Sequence, residues 1–203
     1  MKLTSCKKIA FGKCEKPEKT VKRLEKIIGG LHKYRYVERK VSDHLYWSAL
    51  FVDKLGFRSM GKGINPLLCR CGALAEAAEW LTSRETGSLP GYVAGYQKDI
   101  KNSVKIEDFL THVSSVTPGL MERIKFLDES LHWVDGYSLI SRKDVKVPIE
   151  FVRRISGPSG VAAGNRIEEA IVHGTNEVFE RRTLITVLKQ KLVMPTINIK
   201  TIR

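Results

Sequence analysis

Two stretches of the chain place paired carboxylates at helical spacing. Gly72-Ala73-Leu74-Ala75-Glu76-Ala77-Ala78-Glu79-Trp80 and Asn176-Glu177-Val178-Phe179-Glu180-Arg181 each contain Glu-x-x-Glu. Residues three apart on a helix share a face, so each stretch sets two acids side by side. The second helix extends the pattern. With Asn165 set at zero, Glu169 falls at about 40°, Glu180 at about 60° and Glu177 at about 120°. Ile167, Ile171, Gly174 and Val178 fall at about 180–240°, which predicts an apolar seam opposite the acids. On the first helix Leu74, Ala78 and Leu81 likewise oppose Glu76 and Glu79. Geometry alone leaves two readings. One is a solvated face, because amphipathic helices put acids on their wet side and Glu is a good helix former. The other is a divalent-cation site, because Mg²⁺ takes oxygen ligands and relieves the repulsion of crowded carboxylates.

A glycine-rich loop is expected beside each acidic helix. Gly56-Phe57-Arg58-Ser59-Met60-Gly61-Lys62-Gly63 nearly matches a phosphate-binding P-loop. Gly63 stands where the pattern needs the Ser or Thr that holds Mg²⁺, which argues against a P-loop nucleotidase. Lys62 could still meet a phosphate as a point charge; an ordinary turn accounts for the glycines equally well. Ser156 to Gly164 could aim backbone N–H groups at an anion near the start of the second acidic helix. Asn165 and Glu168 read as a capping pair. The remaining candidates carry less. Cys69-Arg70-Cys71 has the wrong spacing for a zinc knuckle, and Cys6 and Cys14 have no His pair nearby. The five histidines are scattered and no Gly-x-Ser-x-Gly elbow is present, so no nucleophile or general base is assigned.

The elements that must position these groups come in mixed order. A helix is predicted from Pro17 to Ile28, stopped by Gly29-Gly30. Strands follow at Tyr34–Lys40 and Leu45–Val52. Asn65-Pro66 opens the first acidic helix, which runs to Arg84 with Gly87 just beyond. Ile106 to Val113 reads as a short helix, Pro118-Gly119 as a turn, and Leu131–Ile140 with Val145–Val147 as a hairpin. The second acidic helix spans Asn165 to Lys189, and Pro195–Ile202 reads as a final strand. With no regular βαβ repeat, the class is α+β, a mixed or antiparallel sheet packed with helices.

Composition bounds the partners. Lys plus Arg is 35 and Asp plus Glu is 22, a net charge of +13. Residues 1–26 and 181–203 each hold +6, leaving +1 between them. Basic ends on a near-neutral body argue against nucleic acid as the main partner, since such proteins usually interleave cations with aromatics on the fold itself. The N-terminus has no apolar stretch behind its charges and no run is long enough to span a bilayer, so no membrane role and a cytoplasmic, reduced setting are expected.

The ordered motifs resemble the YcaO family. Gly61-Lys62-Gly63 followed by Ala73-Leu74-Ala75-Glu76-Ala77-Ala78-Glu79 is similar to it. So are Gly160-Val161-Ala162-Ala163-Gly164-Asn165, then Glu168-Glu169-Ala170, then Glu177-Val178-Phe179-Glu180-Arg181. Leu131-His132-Trp133-Val134, Tyr137-Ser138-Leu139 and Val147-Pro148 lie between them in the family's order, and Pro17 to Leu31 resembles its first helix. The resemblance covers roughly residues 17–200, leaving 1–16 as a basic tail. It implies an ATP- and Mg²⁺-dependent enzyme that phosphorylates a peptide amide oxygen, so that a side chain or a sulfide source can add to the carbon. Glu76, Glu79, Glu169, Glu177 and Glu180 would be metal and phosphate-side ligands. Lys62, Asn165 and Arg181 would contact the nucleotide or metal, and Glu168 would remain a capping residue. A peptide or protein substrate, a sulfur-delivery or other partner protein, and oligomerisation are the partners so implied. The chain departs from the family pattern at Gly72, Trp80 and Ser159, where Ser, Arg and Asn are usual. The family domain also continues beyond Arg203, so 17–203 is expected to be a partial domain. It would be the enzyme, its glutamate-bearing part, or an inactive binding or scaffold relative.

Overall fold

The computed structural model describes residues 3–5, 7–9, 12–84, 89–108 and 130–198. They fall into two compact units. One comprises residues 5–77 with 159–203, the other residues 78–158 with the first four.

The first unit opens with α1, Pro17–Leu31, which has Pro17 at its first position, where no N–H is needed. Val21 and Ile28 are buried on one face. The helix does not stop at Gly29-Gly30 as predicted. It runs on to Leu31, and the His32 N–H closes it on the Ile28 carbonyl at 2.8 Å. A glycine costs a helix only about 0.5–1 kcal/mol, which burial of Ile28 exceeds.

Three antiparallel strands follow as a meander, β1 (Arg35–Ser42), β2 (Leu45–Val52) and β3 (Phe57–Gly63). Both predicted strands stand close to their expected bounds. The expected glycine loop does not: residues 57–63 are a strand, and only Gly56, at φ 59°, is the turn residue before it. The register runs Val37↔Ala49↔Met60 across the sheet.

Next comes α2, Pro66–Arg84, within its predicted bounds. Asn65 caps it, its side-chain oxygen accepting the Leu68 N–H at 2.9 Å. In the first unit α2 lies against one face of the sheet. Ser48 and Ser59, both buried, donate hydroxyl protons to the Cys69 and Ala73 carbonyls at 3.1 and 2.8 Å. Arg70 pairs with Glu25 of α1 and lies over the Tyr36 ring of β1 at 4.9 Å, tying three elements together. Burial, with a hydrogen bond to Glu38, pushes the Tyr36 hydroxyl up to about 12.

The second unit holds a three-stranded antiparallel sheet, β4 (Val93–Gly95), β5 (Leu131–Ser138) and β6 (Lys143–Pro148), in the order β4-β5-β6. The predicted hairpin is its β5-β6 pair. Trp133 is fully buried and donates its indole N–H to the Gly95 carbonyl at 2.9 Å. Helix α3, Ile149–Ser156, begins directly after β6 and had no counterpart in the sequence reading. Of the predicted helix at 106–113, residues 106–108 are helical and the rest lies outside the described residues, as do Gly87 and Pro118-Gly119.

The chain returns to the first unit with α4, Ile167–Gln190, close to its predicted span. Residues 195–198 form no strand; the rest of that predicted element lies outside the described residues. Nor is the expected apolar seam a buried one. Gly174 is buried, but Ile167 and Val178 are 53% and 47% exposed. Phe179, Leu184, Ile185 and Leu188 are exposed too. Leu184 and Leu188 fall at about 100° and 140°, on the same side as Glu177, so the helix has no single apolar stripe. Among the described residues no helix is long and apolar enough to cross a membrane.

Candidate functional site

The first unit brings the start of α4 onto the start of α1. Glu169 sits in the first turn of α4 and binds two chain segments at once. One carboxylate oxygen accepts the Cys14 N–H at 2.5 Å. The other accepts the Asn165 N–H at 2.8 Å and the Asn165 amide at 3.2 Å. The Asn165 side-chain oxygen in turn accepts from the Thr20 hydroxyl at 2.7 Å and from Arg23 at 2.8 Å. The cap position of α4 falls on Arg166, not on Asn165 as expected, and Glu169, the third helical residue, reaches back to the Asn165 N–H just before the cap. Thr20, Arg23 and the Cys14 backbone complete this cluster and were not singled out in the sequence. The available signal was a threonine within the apolar arc of α1: with Val21 at zero, Thr20 falls at about 260°, between Ile27 and Leu24.

Partial burial works against the ionised form of Glu169. The hydrogen bonds from Cys14 and Asn165 outweigh it and leave its pKa below the usual 4.5. A carboxylate depressed in the folded state stabilises the fold above its ordinary range, and that stability is lost as pH falls through the depressed value. We expect wild type to exceed Glu169→Gln in urea-unfolding midpoint at neutral pH. The gap should close in acid below the ordinary carboxylate range. A gap that is constant with pH would refute this reading.

Further along α4, Glu177 accepts the Gly160 N–H at 3.3 Å and pairs with Arg181 at 2.7 Å. The loop N–H expected to face an external anion thus faces a carboxylate of the chain itself. The loop can lie this close because Gly174 has no side chain: a Cβ there would be 2.5 Å from the Gly160 oxygen. Glu180 is exposed one turn on. On α2, Glu76 reaches the outer edge of β3 and accepts the Met60 N–H at 2.9 Å. Glu79 follows one turn later, at the start of the other unit's span. Lys62 is exposed on β3. Strand alternation sends its side chain to the face opposite Gly61, the residue that meets α2.

Asn165 with Glu169, and Glu177 with Arg181, are therefore brought together. Among the described residues, no three His, Cys, Asp or Glu side chains gather as a metal-binding group. The donor type nevertheless fits a hard cation, since the carboxylates of α2 and α4 are all oxygen ligands.

Two antiparallel sheets, two long helices each bearing Glu-x-x-Glu, and a strand in place of any phosphate loop define an α+β protein with carboxylate-lined helices. The family described as YcaO cyclodehydratase, ATP- and Mg²⁺-binding, matches residues 60–203. The chain belongs to this family. YcaO from Methanopyrus kandleri, solved bound with AMPPCP and Mg²⁺, has the same fold, with a TM-score of 0.69 at 18% identity. The match covers 92% of this chain and 49% of that one, so this chain spans about half of that structure's length. The comparison with curated proteins finds no match.

Proposed function

We propose that the chain takes part in ATP- and Mg²⁺-dependent activation of a peptide backbone amide by O-phosphorylation. The observation that carries this reading is the family match across both Glu-x-x-Glu helices. An amide is a poor electrophile, and converting its oxygen to phosphate makes a leaving group. Such a reaction is helped chiefly by positioning and by neutralising phosphate charge. Glu76 and Glu79 on α2, with Glu169, Glu177 and Glu180 on α4, are the residues that would hold Mg²⁺. Asn165, Arg181 and Lys62 are the proposed nucleotide contacts. Mg²⁺ would supply charge neutralisation on the phosphates. A cation at Glu177 would compete with Arg181, whose guanidinium now pairs with that carboxylate. The nucleophile would be a neighbouring side chain or a delivered sulfide, the latter calling for a sulfur-delivery partner.

One observation favours a second reading, in which the chain is the glutamate-bearing part of a larger assembly. Its carboxylates do not gather as a set among the described residues, while α4 exposes apolar side chains on several sides. Exposed apolar side chains in this number are normally covered by further structure.

Calorimetric titration of Mg-ATP separates these outcomes. The amide-activation reading expects saturable binding, weakened at least about tenfold in Glu76→Gln/Glu180→Gln, since each lost charged contact is worth roughly 1.5–3 kcal/mol. Identical heats in both proteins would remove the carboxylates from the site. No heat in either would favour the second reading. Peptide-dependent phosphate release by the chain alone would dismiss that second reading.

A further inference from the structure

The face of the first sheet turned away from α2 is organised in a way the linear charge pattern hides. Cross-strand partners point to the same side. The register therefore builds three rows on this face: Arg35–Phe51–Arg58, Val37–Ala49–Met60 and Arg39–Trp47–Lys62. Aromatics occupy the central strand in the outer rows, each flanked by cations on both neighbours. The nine positions hold four cations and no acid. Val37 and Met60 at the two sides of the middle row are 41% and 40% exposed, so the outer strands of the face are open to solvent, while Ala49 between them is fully buried.

The two ends of the face differ. At one end Arg35 is committed, bound by Asp53 through two hydrogen bonds at 2.9 and 3.0 Å and lying over the Phe51 ring at 5.0 Å. At the other end Trp47 lines an open concavity of about 420 Å³ with Arg39, Lys40 and Val41. Lys40 alternates to the other face of the sheet and pairs with Asp43 of the hairpin turn at 2.9 Å. Arg58 continues the basic line roughly 13 Å along β3 from Lys62.

We propose that this face binds single-stranded nucleic acid. One base stacks on the Trp47 indole in the concavity. The adjoining phosphates pair with Arg39 on one side and with Lys62, then Arg58, on the other. A planar ring ringed by cations on a β-sheet is the arrangement by which sheets take unpaired bases. An acidic peptide would satisfy the cations and leave the indole face unused. A duplex hides its base faces and gains nothing from Trp47.

The test is fluorescence anisotropy with a short labelled oligouridylate at low salt, on the full chain, with circular dichroism confirming the fold of each variant. Trp47→Leu, which keeps apolar bulk but removes the ring, is expected to weaken binding roughly tenfold or more. Arg39→Gln/Arg58→Gln, both surface changes, should weaken it and lower the salt slope by about 1.4, at about 0.7 per lost phosphate contact. Lys189→Gln/Lys191→Gln removes the same charge from the C-terminal basic run and should leave affinity within a few-fold. If Trp47→Leu fails to fold, quenching of wild-type tryptophan emission by the unlabelled oligomer stands in for it. Absence of binding, or equal loss in the two charge pairs, overturns the proposal. Displacement of the oligomer by uridine monophosphate or polyglutamate at matched residue concentration also overturns it, by showing that a mononucleotide or an acidic chain is the occupant.

Discussion

Gly61→Ala is expected to unfold the first unit or to destabilise it by at least about 3 kcal/mol, the upper end for overpacking a filled site. A Cβ at Gly61 would lie 2.0 Å from the Cys69 carbonyl oxygen and 2.6 Å from the Ala73 nitrogen, both backbone atoms of α2. Neither can move as a side-chain tip could. The Ser48 and Ser59 hydroxyls hold those same helix turns against the sheet, so retreat of the helix would break their hydrogen bonds. Gly63 is constrained in the same way, with a Cβ 2.6 Å from the Cys69 nitrogen. Gly30→Ala is the control. Nothing lies within 4 Å of a Cβ there, and the residue is helical. Alanine restricts the unfolded chain and suits a helix, so this change should be neutral or stabilising by up to about 1 kcal/mol. Urea unfolding of the two variants measures the contrast; similar midpoints would refute the close helix–sheet packing. Glycines that read as a phosphate loop are, on this account, the means by which α2 and Glu76 approach β3.

Trp133→Ala should cost the second unit about 3–5 kcal/mol, the range for emptying a buried aromatic site. Trp133 is fully buried, and Leu131, Val134, Ile106 and Phe151 are further buried apolar residues of the same unit. Its indole N–H is the partner of the Gly95 carbonyl at the β4–β5 edge, and removing it strands that acceptor at a further cost of about 1 kcal/mol. Folded domains are stable by only about 5–15 kcal/mol, so a loss of this size should populate the unfolded unit visibly. Loss of far-ultraviolet circular dichroism at reduced urea is the expected reading. Trp133→Phe, which keeps most of the volume but not the donor, should fall between the two. A Phe variant as unstable as the Ala variant would assign the whole cost to the hydrogen bond, against the cavity argument.

The long elements were legible because their signals are local. Asn65-Pro66 announced α2, and alternating aromatic and β-branched residues announced β1, β2 and the β5-β6 hairpin. The Glu-x-x-Glu spacing and the ordered motifs around it sufficed to place the chain near the YcaO family. Where reading failed, a distant partner had decided. Gly29-Gly30 did not end α1, because the burial of Ile28 outweighs a glycine's helix penalty. Gly61 and Gly63 did not make a loop, because they admit α2. Glu169 was not read as the residue that ties the start of α4 to the segment before α1, because only folding brings the Cys14 N–H to it.

Sequence alone determined the class of the protein, its two acid-bearing helices and the sum of its charge, all of which depend on residues near one another in the chain. Only the tertiary structure decided what those residues face. It gave Glu177 to the Gly160 N–H, and it set Lys62 in register with Trp47 and Arg39 across three strands. Sheet register is set between strands, by which residues face one another across them. No periodicity within one strand could therefore show that the basic residues of the near-neutral body share one aromatic face.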